Sequence, residues 1–326
     1  MWEQVAEELR ANDRFVISTH VNPEGDAIGA EVALGSFLTD LGKHVTIVNS
    51  SPTPENSRFM DPDGLIQVYP TTFDRSALED ADRVVIVDVN NWGHLGVFGK
   101  ALRESNTPRI CIDHHQGGDG DFAGVVVKDT SAAAAGLMIY ELIRFMDGKI
   151  TPPIANAAYA AIITDTGTFR FSNTDARVFR AATELTQLGV EPSVIHRNVF
   201  SHTPAAVKML GAVLNTLETT SDGKLAWIHA TRKMFEEADA SYEDSDGMLE
   251  IVRATHGVEF CFFFKELPSA KIKVSLRSNG KVDVYEIAKE HGGGGHRMAS
   301  GASLAGPMKN AIKRLVEDAK KYIPAD

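Results

Sequence analysis

The chain has 326 residues, 43% of them hydrophobic and 24% charged, which is the balance of a globular protein long enough for two domains with sizeable cores. Its formal net charge of −11 excludes a protein that coats long nucleic acid, because counterion release needs basic surface, but leaves room for a short anion in a local basic pocket. Cys111 and Cys261 lie in apolar runs and read as buried thiols rather than a disulfide framework; with no run of membrane-span length and no basic signal-like start, a cytoplasmic location away from membranes is expected.

Trp2 to Ala11 has helical spacing, and Phe15 to Ser18 reads as a strand. The run His20 to Gly29 that follows contains Asn22-Pro23 and Gly25, which force a compact turn carrying His20, Glu24 and Asp26 before a helix over 27–41. Gly42 stops that helix, and His44 to Asn49 forms a second strand. Ser51 to Asp63 reads as loop. Asp82 to Asp88 and Pro108 to Asp113 are continuous apolar strands, as expected of a sheet covered on both faces, with a helix from Leu95 to Ser105 between them. Ala132 to Ala135 opens another helix, Pro152 to Thr164 is helical, and so is Asp175 to Leu188, stopped by Gly189. This alternation predicts an α/β fold with a doubly wound parallel sheet over 1–189. Residues 190–205 read as a connector. Residues 206–326 read as a smaller α+β domain with strands at about 224–229, 258–266 and 271–277 and a last helix near 307–322.

In a doubly wound sheet, ligands collect beyond the carboxyl ends of the strands. His20 follows the first strand, Asp88 ends the third, Asp113-His114-His115 ends the fourth, and Asp165 ends a later helix. His20, Glu24, Asp26, Asp88, His114 and Asp165 are four carboxylates and two imidazoles, too many for one closed zinc site. Mixed oxygen and nitrogen ligation suits Mn²⁺ or Mg²⁺, with Co²⁺ or Zn²⁺ as further options. Two such ions about 3.5–4 Å apart clamp the attacking and leaving oxygens of an in-line phosphoryl displacement, so no side-chain nucleophile is needed. Taken singly, each of these residues is as readily a helix cap, a turn former or a satisfied histidine. Their joint placement at one sheet end is what points to two divalent cations.

The far end carries Gly292-Gly293-Gly294-Gly295-His296-Arg297 after a strand ending in Arg277, in a segment that is net basic within an acidic chain. Glycines let backbone N–H groups approach an anion, and Arg277, His296 and Arg297 are suited to gripping phosphate. The bland alternatives are a flexible loop and a solvated strand surface. A P-loop and a nucleophile elbow are both absent from the sequence.

Together these motifs resemble the DHH phosphoesterase superfamily, which includes the RecJ exonucleases, family II pyrophosphatases, exopolyphosphatases and NrnA-type oligoribonucleases. The first motif is His20 to Gly29, the second Val87-Asp88, the third Asp113-His114-His115 and the fourth Thr164 to Gly167, while Gly292 to Gly301 resembles the signature of the associated DHHA1 domain. The resemblance implies one metal on His20, Glu24 and Asp88, and another on Asp26, Asp88, His114 and Asp165, with Asp88 bridging. It implies that His115 reaches the scissile phosphate, that Asp113 orients an imidazole, and that Arg277, Gly293, Gly294, Gly295, His296 and Arg297 bind substrate. Glu24 stands where the family's usual motif has Asp, and His94 where relatives often carry Arg.

Length and end signature are most similar to the NrnA type. The implied activity is hydrolysis of oligonucleotides of two to five residues to 5′-mononucleotides, and of 3′-phosphoadenosine 5′-phosphate, by metal-activated water in a cleft between two domains. A cyclic di-AMP or pApA phosphodiesterase is the nearest rival. An inorganic pyrophosphatase and a non-catalytic nucleotide-binding protein with a decayed metal site are further ones. Long double-stranded nucleic acid is not an expected partner, and a homodimer is compatible with the sequence.

Overall fold

The computed structural model describes residues 1–324, which fall into two compact units, one ending at Ser201 and one beginning at His202. The first unit contains, in chain order, α1 (Glu3–Ala11), β1 (Arg14–Ser18), α2 (Gly25–Asp40), β2 (His44–Asn49), β3 (Ile66–Val68), α3 (Ser76–Glu79), β4 (Arg83–Val87), α4 (Gly96–Glu104), β5 (Arg109–Asp113), β6 (Val125–Lys128), α5 (Ala135–Phe145), α6 (Pro152–Asp165), α7 (Ala176–Gln187) and α8 (Pro192–Val199). Its sheet runs β3-β2-β1-β4-β5-β6 with every neighbouring pair parallel.

The three central strands β1, β4 and β5 are apolar and buried at almost every interior position because both faces are covered. Phe15, Ile17, Val85, Val87, Ile110 and Ile112 enter a core with α2, α5 and α6, whereas Val16, Val84, Ile86 and Cys111 enter a second core with Phe98, Leu102 and Phe122. This is the period-two alternation of a strand, divided between two hydrophobic layers. Helix α2 is buried on nearly all sides, so it is apolar nearly all round. It packs against α6 at close range. A Cβ on Gly29 would sit 2.4 Å from the Ala157 carbonyl oxygen and 2.9 Å from the Ala161 Cβ, so only glycine fits at this crossing.

The segment 190–205, read as a connector, is instead mostly helical. Pro192 opens α8 in its first turn, where an N–H would have no acceptor within the helix, and Ile195 and Val199 are buried in the first unit's core. The boundary between units falls at Ser201/His202, before α9 (Pro204–Leu214), whose N-cap Thr203 accepts from Ala206 N.

The second unit continues with β7 (Glu218–Thr219), β8 (Leu225–Ala230), α10 (Arg232–Ala238), α11 (Met248–Arg253), β9 (Phe260–Glu266), β10 (Lys271–Ser278), α12 (Val284–Glu290), β11 (Gly294–His296), β12 (Ala299–Ala305) and α13 (Met308–Ala319). Its sheet, β11-β12-β10-β9-β8-β7, is mixed: β8 and β9 are parallel and the other pairs antiparallel. Phe260, Phe262 and Phe264 point to a core shared with α12 and α13, while Cys261 and Phe263 point to one shared with α9, α10 and α11. Both cysteines are buried free thiols, pushed up to about 12 first of all by burial. No described helix is long and apolar enough to cross a membrane.

Candidate metal centre

The carboxyl ends of β1, β4 and β5, with the adjoining ends of α2 and α6, gather five of the six expected ligands into one cluster. His20 follows β1, Asp88 follows β4, His114 follows β5, Asp26 lies in the first turn of α2, and Asp165 ends α6. Asp26 is therefore on the helix rather than on the preceding turn, because α2 begins at Gly25.

Asp88 lies at the centre of the cluster. Its Oδ2 is 3.4 Å from His20 Nε2 and its Oδ1 is 3.3 Å from His114 Nε2, so each oxygen faces a different imidazole. Asp88 adopts φ of +60°, a left-handed conformation that is costly for a residue with a Cβ. Its N–H donates to the Ile112 carbonyl at 3.0 Å, which ties the strained residue to β5.

His114 Nε2 also lies 3.7 Å from Asp26 Oδ2 and 3.6 Å from Asp165 Oδ2. The Ala132 carbonyl accepts from His114 Nδ1 at 3.1 Å, and the Val21 carbonyl from His20 Nδ1 at 2.9 Å. A carbonyl only accepts, so both rings carry a proton on Nδ1 and turn Nε2 toward the carboxylates. Asp26 is pinned from behind: Ala135 N donates to its Oδ2 at 2.7 Å and Gly136 N to its Oδ1 at 2.8 Å, both at the start of α5.

Burial would lower His114, but hydrogen bonding to Asp88 and the charges of Asp26, Asp88 and Asp165 lift it to about 10. His20 rises to about 9 for the same reason, burial being outweighed by Asp88. Burial pushes Asp26 well above the usual carboxylate range, reinforced by Asp88 and Asp165, and pushes Asp165 to about 6. In Asp88 burial acts upward, but the adjacent His114 and His20 imidazoles outweigh it and draw the carboxyl down to about 2.

The donor set fits divalent metal. Two triplets, Asp88-His114-His115 and Asp26-His114-Asp165, each place one ligand atom per residue within 4.8 Å of the others. Asp88 Oδ1 is buried with no hydrogen-bond partner, which leaves a lone pair open to a cation. Glu24 lies outside both triplets, exposed at the N-cap of α2.

His115 and Asp113 form a separate pair. Asp113 is fully buried, and its Oδ1 accepts from His115 Nδ1 at 2.9 Å while Oδ2 accepts from His115 N at 3.2 Å. Asn90 Nδ2 also donates to Asp113 Oδ2. The bond to Asp113 is the first cause of the raised His115 pKa. The His115 side chain is 56% exposed, and it is Nδ1 that engages Asp113.

The residues expected to bind substrate lie in the second unit. Arg277 pairs with Ala299 across the sheet and Ala299 pairs with His296, so Arg277 and His296 share one face two strands apart. Arg277 Nε donates to Glu250 Oε1 at 3.2 Å, and Arg297 Nη2 to the Gly280 carbonyl at 3.3 Å. Two glycines of the run are required by β12: a Cβ on Gly293 would meet the Gly301 oxygen at 2.2 Å, and Gly295, at φ +134°, would meet the Ala299 oxygen at 2.6 Å. A Cβ on Gly294 would meet nothing within 4 Å. His94 is exposed; its backbone oxygen accepts from Val21 N at 2.7 Å and so braces the turn beside His20.

Sequence reasoning missed the groups that hold these side chains, namely Asn90 on Asp113, the Ala132 carbonyl on His114 and the first amides of α5 on Asp26. Asn90 lies within the second motif, but its role depends on β4 and β5 being neighbours. The other two groups are backbone and leave no residue-type signal.

An all-parallel sheet with imidazoles and carboxylates at its strand ends, followed by a mixed-sheet unit, defines a two-domain α/β protein with a candidate metal centre in its first domain. The chain belongs to the DHH family: residues 14–162 match the DHH family N-terminal domain, and residues 207–325 match the DHHA1 domain. It is 33% identical to the bifunctional oligoribonuclease and PAP phosphatase NrnA of Thermus thermophilus, over 99% of this chain and 95% of that one. It is 24% identical to the cyclic-di-AMP phosphodiesterase PdeA of Listeria monocytogenes, over 98% of this chain and 49% of that one. Among solved structures, an exopolyphosphatase-related protein from Bacteroides fragilis superposes with a TM-score of 0.93 at 27% identity, covering 99% of this chain and 97% of that one.

Proposed function

We propose that the protein is a metal-dependent phosphoesterase that hydrolyses oligonucleotides of two to five residues to 5′-mononucleotides and removes phosphate from 3′-phosphoadenosine 5′-phosphate. The observation that carries this reading is Asp88, whose two carboxylate oxygens each face a different imidazole at the centre of the cluster, so that one carboxylate would be shared between two groups of ligands. The Thermus relative, a bifunctional oligoribonuclease and PAP phosphatase by name, suggests the substrate class.

In this reading His20, Glu24 and Asp88 hold one divalent ion, and Asp26, Asp88, His114 and Asp165 hold the other, with Mn²⁺ as the favoured metal. When bound, the ions supply Lewis-acid polarisation of the phosphoryl group and lower the pKa of water. Because Nδ1 of His20 and of His114 is taken by a backbone carbonyl, Nε2 is the nitrogen that would face a metal, giving up its own proton on binding. The α5 amides hold the Asp26 carboxylate still, so less ordering is left for the moment of binding. Asp113 fixes the His115 ring, leaving Nε2 to contact a non-bridging phosphate oxygen. Arg277 and His296, on one sheet face, serve as phosphate-gripping side chains, and the absence of a side chain at Gly294 leaves that edge uncrowded. The cytoplasm, where short RNA fragments arise and thiols stay reduced, is the compartment this reading implies.

A cyclic di-AMP or pApA phosphodiesterase is the second reading, favoured by the similarity to the Listeria enzyme, of which this chain spans about half. Product analysis with Mn²⁺ against a five-residue RNA, pApA, 3′-phosphoadenosine 5′-phosphate, cyclic di-AMP and pyrophosphate tests both. The expected result is mononucleotides from the first three, with cyclic di-AMP and pyrophosphate left intact. Faster turnover of cyclic di-AMP than of the RNA selects the second reading. Turnover of pyrophosphate alone, or of nothing, refutes both.

A further inference from the structure

Glu31 is a fully buried acid on α2 that no ligand assignment uses. Its Oε2 accepts from Asn49 Nδ2 at 2.8 Å, and its Oε1 is buried with no hydrogen-bond partner. Burial pushes its pKa up to about 8. A leucine would suit this core-facing helix position at no polar cost, whereas a buried carboxyl with an unsatisfied oxygen burdens the fold. The position therefore calls for a compensating role.

The hydrogen bonds trace that role. Asn49, the last residue of β2 and itself fully buried, accepts from Thr19 N at 3.1 Å through Oδ1. Thr19 Oγ1 donates to the Val87 carbonyl at 2.8 Å. Thr19 immediately precedes His20, and Val87 immediately precedes Asp88. The β1–β4 ladder ends at Ser18 paired with Ile86, one residue short of both, so side chains take over where backbone pairing stops. Asn49 can serve Thr19 N only while its oxygen, not its amide nitrogen, faces that N–H. Glu31, accepting from Nδ2, fixes the amide that way round.

We propose that Glu31 and Asn49 are positioning residues that brace the His20 and Asp88 strand ends and thereby set the affinity of the metal centre. The inference rests on the reading of those two residues as ligands. Outer partners of metal ligands typically change affinity by about 10–100-fold when removed.

The test is a calorimetric Mn²⁺ titration of the full chain as wild type, E31L, E31Q, N49L and the E31L/N49L double variant, with metal-free melting and circular dichroism alongside. E31L and N49L are expected to weaken Mn²⁺ binding by at least about tenfold, with the double variant no worse than either single one, because all three break one chain of bonds. E31Q, which keeps an acceptor for Asn49 Nδ2, is expected to bind Mn²⁺ within about twofold of wild type, a difference of only ~0.4 kcal/mol. Steady-state kinetics on a dinucleotide at limiting Mn²⁺ should show lowered kcat with little change in KM. If E31L fails to fold, N49L and E31Q carry the comparison. Lowered melting temperatures with unchanged Mn²⁺ affinity would mean a merely structural role and overturn the proposal. A wild-type protein that binds no Mn²⁺ refutes the metal reading itself, and the brace with it.

Discussion

Gly29→Ala is a single methyl group placed where the fold and the metal centre meet. The new Cβ would lie 2.4 Å from the Ala157 carbonyl oxygen and 2.9 Å from the Ala161 Cβ. The first obstacle is helix backbone and cannot rotate away, so α2 and α6 must separate by about 1 Å to restore ordinary contact near 3.4 Å. Overpacking of this kind costs ~1–3 kcal/mol, which in a domain of this size lowers Tm by roughly 2–12 °C. The same separation moves Asp26, near the start of α2, away from Asp165, at the end of α6, although both face His114 Nε2 at 3.7 and 3.6 Å. Misplacement by about 1 Å at a catalytic constellation costs up to ~10²-fold in rate. The assay is paired: differential scanning calorimetry of the metal-free protein, and Mn²⁺ titration with dinucleotide kinetics of the same preparation. Melting within 1 °C of wild type and unaltered kinetics would refute the close α2–α6 crossing and the coupling inferred from it.

Asp88→Asn is expected to remove Mn²⁺-dependent hydrolysis while leaving the circular dichroism spectrum intact; retention of most activity would sink the bridging role. Arg277→Ala is expected to raise KM for dinucleotides at least ~fivefold, about 1 kcal/mol, but to leave a simple aryl phosphodiester nearly unaffected, and equal effects on both would count against substrate contact. Glu24→Asp should shift the Mn²⁺ titration midpoint, and an unchanged midpoint would show that Glu24 is not a ligand. Glu31 gives a pH dependence: its folded pKa of about 8 lies above its ordinary 4.5, so its stabilising protonation is complete below pH 4.5 and is lost as pH rises through 8. Glu31→Gln should therefore raise the metal-free Tm more at pH 8 than at pH 5, by up to a few (~2–5) kcal/mol in stability; a constant increment would refute the shift.

The inner strands were legible in the sequence because both their faces are buried, which makes β1, β4 and β5 unbroken apolar runs. The edge strands β3 and β6 were not, since Ile66-Gln67-Val68 and Val125 to Lys128 are short and only partly covered. The helix α8 was hidden by its own Pro192, which breaks a helix interior but starts a helix well. The cluster of His20, Asp26, Asp88, His114 and Asp165 could be anticipated because a parallel sheet delivers its strand ends to one side. What could not be read were groups that act through the backbone: the α5 amides on Asp26 and the carbonyls of Ala132 and Val21 that set the imidazole tautomers. The glycine run was visible as unusual, but composition does not distinguish an anion cradle from a hairpin in which Gly293 and Gly295 are forced by the neighbouring strand.

The attachment of Asp26 to the first amides of α5 has a consequence for how metal and fold communicate. A cation drawn to Asp26 pulls on a carboxylate that is also the N-terminal cap of an eleven-residue helix in the domain core. If Asp26 holds an ion as proposed, metal occupancy and the docking of that helix are linked, and each changes the other by the same free energy. The amides of Ala135 and Gly136 become built-in reporters: their hydrogen exchange should slow as Mn²⁺ is added, before any substrate is present. A carboxylate proposed for the ion is, by these two bonds, already part of the helix.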